Sequence, residues 1–120
     1  MERFGLTCYG CCEPLERRWH AVRRHHGLRR VSCSPWANVE KLAECLDGKY
    51  ILSVKPNPAG LAVAEVDFES VRQSLRETLA KTRGCPLELL MKDNHTLAHR
   101  PENVVAWCRI AREEMERLAL

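Results

Sequence analysis

Apolar residues along this chain alternate between short unbroken runs and longer helical stripes, and the alternation repeats four times. The first run, residues 4–9, ends at Gly10. Pro14 then suits the first turn of a helix, and Leu15, Trp19 and Val22 follow at helical spacing up to Gly27, a left-handed stop. Residues 28–33 form the second strand-like run, and Ser34-Pro35 opens a turn. Val39, Leu42, Ala43 and Leu46 make the next helical face, ended by Gly48. Residues 50–54 predict a third strand, closed by Lys55-Pro56-Asn57-Pro58. A longer connection with a short helix over 61–64 leads to Asp67, a helix N-cap. Val71, Leu75 and Leu79 carry the third helix to Gly84. Residues 87–91 predict the fourth strand and 92–96 its loop. Pro101 opens the last helix, whose apolar stripe reads Val104, Cys108, Ala111, Met115 and Leu118.

Strands separated by helices require crossover connections, so the expected class is α/β with a parallel sheet. Two architectures satisfy the pattern. An open, doubly wound sheet places helices on both faces. Half of a (β/α)8 barrel places them on one face and leaves the other turned to the barrel interior. Periodicity does not separate the two. Either is one domain over residues 1–120, with no low-complexity linker.

Composition narrows the class little: 45% of residues are hydrophobic and 29% charged, ordinary values for a globular protein. No apolar run approaches the roughly 20 residues of a membrane span. The start Met1-Glu2-Arg3-Phe4-Gly5 does not resemble a signal peptide, so the expected location is cytoplasmic, with no membrane partner. The seven cysteines lie mostly in or beside apolar runs, which suits reduced thiols used as small core residues. A net charge of +3 does not by itself point to nucleic acid, and none is expected as a partner. The charge is uneven, however. Six arginines and three histidines fall within residues 17–30, either as a solvated helix face or as a patch for phosphate or polycarboxylate.

The loops that follow the strands carry a resemblance. Tyr9-Gly10-Cys11-Cys12-Glu13-Pro14-Leu15, Ser32-Cys33-Ser34-Pro35-Trp36-Ala37, Lys55-Pro56-Asn57-Pro58-Ala59 and Leu90-Met91-Lys92-Asp93 resemble an uncharacterised branch of the uroporphyrinogen decarboxylase superfamily. The tail from Arg100-Pro101-Glu102-Asn103-Val104 through Ala111-Arg112-Glu113 does too. That superfamily holds porphyrinogen decarboxylases and cobalamin-dependent, zinc-using methyltransferases, all (β/α)8 barrels. The resemblance implies the C-terminal half of such a barrel. It therefore implies a partner, either a second copy in a homodimer or an N-terminal barrel half.

In a barrel, the loops after the strands form the active rim. The resemblance places Tyr9 to Glu13, Ser34 to Trp36, Lys55 to Asn57 and Lys92 to Thr96 there. Methyltransferases of the superfamily bind zinc through a His-x-Cys pair after a strand and a further distant Cys. Cys11 matches the cysteine of the pair, while Tyr9 stands at the histidine position and His95 is the nearest substitute for the distant ligand. The implied sets are Cys11/Glu13/His95 and Cys11/Cys12/His95, against structural thiols as the alternative. His95 also resembles the loop histidine that faces substrate carboxylates in the decarboxylases.

Lys55, Lys92 and Asp93 are charges placed directly after apolar strands, where they orient an anionic substrate in a cleft, pair (Lys92 with Asp93 or Glu13), or form a polar plug at the barrel mouth. Lys55, Asp93 and His95 are thus the catalytic candidates. Tyr9, Trp36, Asn57 and Lys92 are the substrate-binding ones, with the two aromatics as a wall for a flat ligand. The expected activity is related to zinc- and corrinoid-dependent methyl transfer on an anionic or tetrapyrrole-like substrate. The competing expectation is a non-catalytic half barrel that binds a ligand or completes another chain's barrel.

Overall fold

The computed structural model describes residues 3–10 and 12–119. By its internal contacts the chain divides into two compact units, Met1–Pro56 with Lys81–Leu90, and Asn57–Ala80 with Met91–Leu120.

The first unit is built on four strands: β1 (Thr7–Tyr9), β2 (Leu28–Cys33), β3 (Ile51–Val54) and β4 (Leu87–Leu89). They form one sheet in sequence order, and every pair is parallel. The order 2-1-3-4 of a doubly wound sheet is not adopted. Val31 lies opposite Leu52, Cys33 opposite Val54, Leu52 opposite Leu87 and Val54 opposite Leu89. Because side chains alternate along a strand, these residues share one face. That face joins Leu15, Trp19, Val22, Leu42, Ala43 and Leu46 in a single core. It is covered by a 3-10 turn (Leu15–Arg17), α1 (Trp19–Val22) and α2 (Val39–Leu46). The Trp19 ring meets Tyr50 edge-on, with centroids 5.0 Å apart.

Alternation sends the remaining strand residues to the other face. The second face carries Cys8, Arg30, Ser32, Ile51, Ser53 and Glu88, so it is largely polar. Ser32 and Ser53 face each other in register, and both are buried. The Arg30 guanidinium reaches across β3 to the Glu88 carboxylate at 2.9 Å.

The first helix is shorter than its apolar stripe. Neither the 3-10 turn nor α1 has a side-chain cap at its start, and so short a helix is marginal by itself. The α-helix ends at Val22, well before Gly27. Gly27 instead adopts a φ of +63° at the turn into β2, where an added Cβ would sit 2.6 Å from the Gly5 carbonyl oxygen. Gly27→Ala should therefore destabilise by about 2 kcal/mol or more in urea unfolding, combining left-handed strain with a backbone clash. Gly84→Ala should cost less, because its left-handed φ meets open space. Equal losses would show that the Gly5 contact carries no weight.

α2 starts on Asn38, whose Oδ1 accepts from Lys41 N at 3.0 Å. It ends on Asp47 and Gly48, both left-handed. Cysteine burial departs from expectation. Of the six described cysteines, Cys33 alone is buried and Cys85 is intermediate, while Cys8, Cys12, Cys45 and Cys108 are exposed.

The second unit holds a 3-10 turn (Pro58–Leu61), earlier than the short helix expected over 61–64, together with α3 (Phe68–Lys81, its last residue in the first unit) and α4 (Glu102–Ala119). Asp67 caps α3 as expected, accepting from Glu69 N at 3.1 Å and Ser70 N at 3.0 Å. The buried side of α4 is Asn103, Trp107, Ile110, Ala111 and Glu114, one position back from the stripe read in the sequence. Cys108 and Leu118 of that stripe are exposed. Asn103 Nδ2 donates to the Leu61 carbonyl at 3.2 Å. Glu114 accepts from Arg72 Nη1 at 2.5 Å and Arg76 Nε at 2.9 Å, tying α4 to α3.

Candidate functional site

Parallel strands end together, so the C-terminal edge of the sheet collects the residues that follow β1, β2 and β3. The ladder runs one step past the strands, with Lys55 N donating to the Cys33 carbonyl at 2.9 Å. Ser34 and Lys55 thus follow Cys33 and Val54 in register at the mouth of β2 and β3. Both are buried, Lys55 at 7% exposure and Ser34 at 4%. The Ser34 hydroxyl has no hydrogen-bond partner among the described residues. Its carbonyl accepts from Ala37 N at 3.1 Å, closing the turn that carries Trp36.

Glu16, from the 3-10 turn, joins this mouth. Its Oε1 accepts from Asn38 N at 3.3 Å, while its buried Oε2 has no partner among the described residues. The Cys33 thiol is pushed up to about 11, chiefly by burial and then by the Glu16 carboxylate, with the Lys55 ammonium opposing. Glu16 and Lys55 therefore both act on one buried thiol, which stays neutral at ordinary pH and is a poor nucleophile. Chemically, the mouth offers a cation, a carboxylate and a hydroxyl in a water-poor setting. Such groups bind and orient a polar ligand strongly.

Tyr9 is half-buried and stacks on His25, with centroids 5.5 Å apart and ring planes 21° from parallel. Trp36 is 73% exposed, so it lines no closed wall in this unit. Glu13 is exposed and pairs with Arg18 at 2.9 Å, and Cys12 is exposed. Cys11 lies outside the described residues, and with it both zinc sets that depend on it. Among the described residues, no group of three His, Cys, Asp or Glu side chains gathers as a metal site.

The remaining candidates belong to the second unit. Asn57 is exposed and caps the turn that follows it, its Oδ1 accepting from Ala59 N at 3.0 Å. Lys92 and Asp93 are exposed and lie 3.7 Å apart, so they answer one another rather than a cleft. Asp93 is left-handed at φ 61°, and His95 is exposed.

Sequence reasoning passed over Glu16 and gave Ser34 no role. Glu16 sits in a charge-rich helical stretch that reads as surface. Ser34 was visible in the sequence as the residue between the second strand and Pro35, but not as a buried hydroxyl without a partner among the described residues. No family model, curated protein or solved structure matches the chain.

Proposed function

We propose that this chain is half of a (β/α)8 barrel of the uroporphyrinogen decarboxylase-like kind, binding a small anionic ligand at the C-terminal ends of β2 and β3. The observation that carries the reading is the buried Lys55 beside a buried Ser34 hydroxyl that lacks a partner among the described residues. Buried polar groups are normally satisfied, and an orphan hydroxyl beside a buried cation is what an anion's oxygens would complete. Further support comes from the sheet: four parallel strands in sequence order, with a polar second face, suit a barrel wall whose interior holds a ligand. A second copy, or an N-terminal half, would complete such a barrel.

The methyl-transfer reading depends on Cys11 together with His95, and the described residues assemble no donor set. Zinc retained after dialysis, one per chain, would favour that reading over simple ligand binding.

Titration with uroporphyrin, a polycarboxylate tetrapyrrole, tests the proposal by absorbance and fluorescence. Lys55→Met should weaken binding about tenfold or more, as expected for loss of a charge-assisted contact, and Ser34→Ala should weaken it less. Lys41→Met, on the exposed side of α2, should bind like the parent. Binding unaffected by Lys55→Met would rule out this edge as the site.

A further inference from the structure

The opposite edge of the sheet, where the strands begin, has a chemistry of its own. Residues 17–30 hold six arginines and three histidines with no acidic residue, and all nine side chains are exposed. α1 ends at Val22, so these charges run from the helix around a turn and into β2. Arg18 is answered by Glu13 and Arg30 by Glu88. Arg23, Arg24 and Arg29 have no carboxylate partner among the described residues. Arg29 instead donates to the Lys49 carbonyl at 3.0 Å. The hydrogen bond to Asp47 raises the Lys49 ammonium's pKa, with Arg23 among the smaller opposing influences.

Two large apolar side chains stand beside this turn. Phe4 is 68% exposed and Leu6 71%. Their backbone is fastened to it: Thr7 N donates to the Gly27 carbonyl at 2.7 Å and Thr7 Oγ1 to the His26 carbonyl at 2.9 Å. Leu6 Cα lies 3.5 Å from where a Gly27 Cβ would sit. This edge thus presents two apolar prongs near three guanidinium groups that have no carboxylate partner among the described residues.

Each candidate partner uses these features differently. A second copy of the chain would bring arginines against arginines. A nucleic acid would engage the arginines but gain little from an exposed leucine. An anionic bilayer uses both, since cations sit among the headgroups while apolar side chains enter the interface. We propose that this edge is a docking surface for an anionic membrane, with Phe4 and Leu6 entering the interface and Arg23, Arg24 and Arg29 meeting lipid headgroups. This surface docking involves no membrane span, and it stands independently of the ligand site at the other edge. Among the described residues, no helix is long and apolar enough to cross a membrane.

Cosedimentation of the full chain with phosphatidylcholine vesicles, with and without phosphatidylserine, tests the proposal. Binding should require phosphatidylserine and weaken as salt rises. Arg23→Gln with Arg24→Gln should weaken it about thirtyfold, from roughly one headgroup-strength interaction per arginine. Phe4→Ser with Leu6→Ser should weaken it about tenfold or more through lost apolar burial. All four positions are exposed, so circular dichroism should show the fold unchanged. Failure to bind phosphatidylserine vesicles at low salt would overturn the proposal. So would full binding by the Phe4/Leu6 variant, which would mean charge attraction alone. Tighter binding to single-stranded RNA, by fluorescence anisotropy, that ignores Phe4 and Leu6 would make the edge a nucleic-acid patch instead.

Discussion

Glu114→Gln is expected to lower stability by about 2–3 kcal/mol, measured as a fall in the urea midpoint. Glu114 is 3% exposed and accepts from two arginines of α3, Arg72 and Arg76. Removing one partner of a buried ion pair leaves the others uncompensated, at about 3–5 kcal/mol where burial is complete. Arg72 and Arg76 keep 23% and 39% of their side-chain surface, so water recovers part of that. The same cluster makes stability depend on pH. The hydrogen bond from Arg76, and then that from Arg72, hold the Glu114 carboxyl at about 2, against an ordinary value of 4.5. The unfolded chain therefore binds this proton first. The contribution is complete above pH 4.5 and is lost as pH falls toward 2. Glu114→Gln should lack this part of the acid transition. A variant with the parent's midpoint and acid profile would show that the α3–α4 cluster is ornamental.

Leu52→Ala should cost about 3 kcal/mol, and Ile51→Ala about 1 kcal/mol. Leu52 has 0% exposure on the face that meets α1 and α2, while its neighbour Ile51 is only half-buried on the polar face. Truncating Leu52 removes buried surface and leaves a cavity, whereas Ile51 loses less of both. Thermal or urea unfolding reads the difference directly. Similar losses at both positions would mean that the second face is packed as tightly as the first, against the polar reading given to it.

The element pattern was legible in the sequence because local signals and apolar runs agree there. Asp67 caps α3, Gly48 ends α2 in a left-handed turn, and four apolar runs become four parallel strands in order. Parallel pairing was expected from the helical crossovers between successive strands, and all three pairs are parallel. The face assignments were less accessible. A run such as Ile51-Leu52-Ser53-Val54 is apolar at three positions of four, so alternation does not say which side is core. The register against β2 and the packing of α1 and α2 decided it, and placed Ser32 and Ser53 together on the other side.

In α4 the buried stripe includes Asn103 and Glu114, so an apolar periodicity misses it and settles one residue away. Only the Leu61 carbonyl and the arginines of α3 make those polar positions tolerable inside. The candidate mouth shows the same division. Lys55 drew notice in the sequence as a charge after an apolar strand. Ser34 stood at the strand end in the sequence, but its lack of a partner, and any role for Glu16, emerged only when the turn after β2 and the 3-10 turn after β1 met at one strand edge. Sequence by itself determined where most strands and helices lie, because those depend on neighbours a few residues apart, while the strand order β1-β2-β3-β4 came from pairings between distant segments. Tertiary structure alone decided which side chains are buried, paired or left without a partner, because those depend on groups brought together from distant parts of the chain.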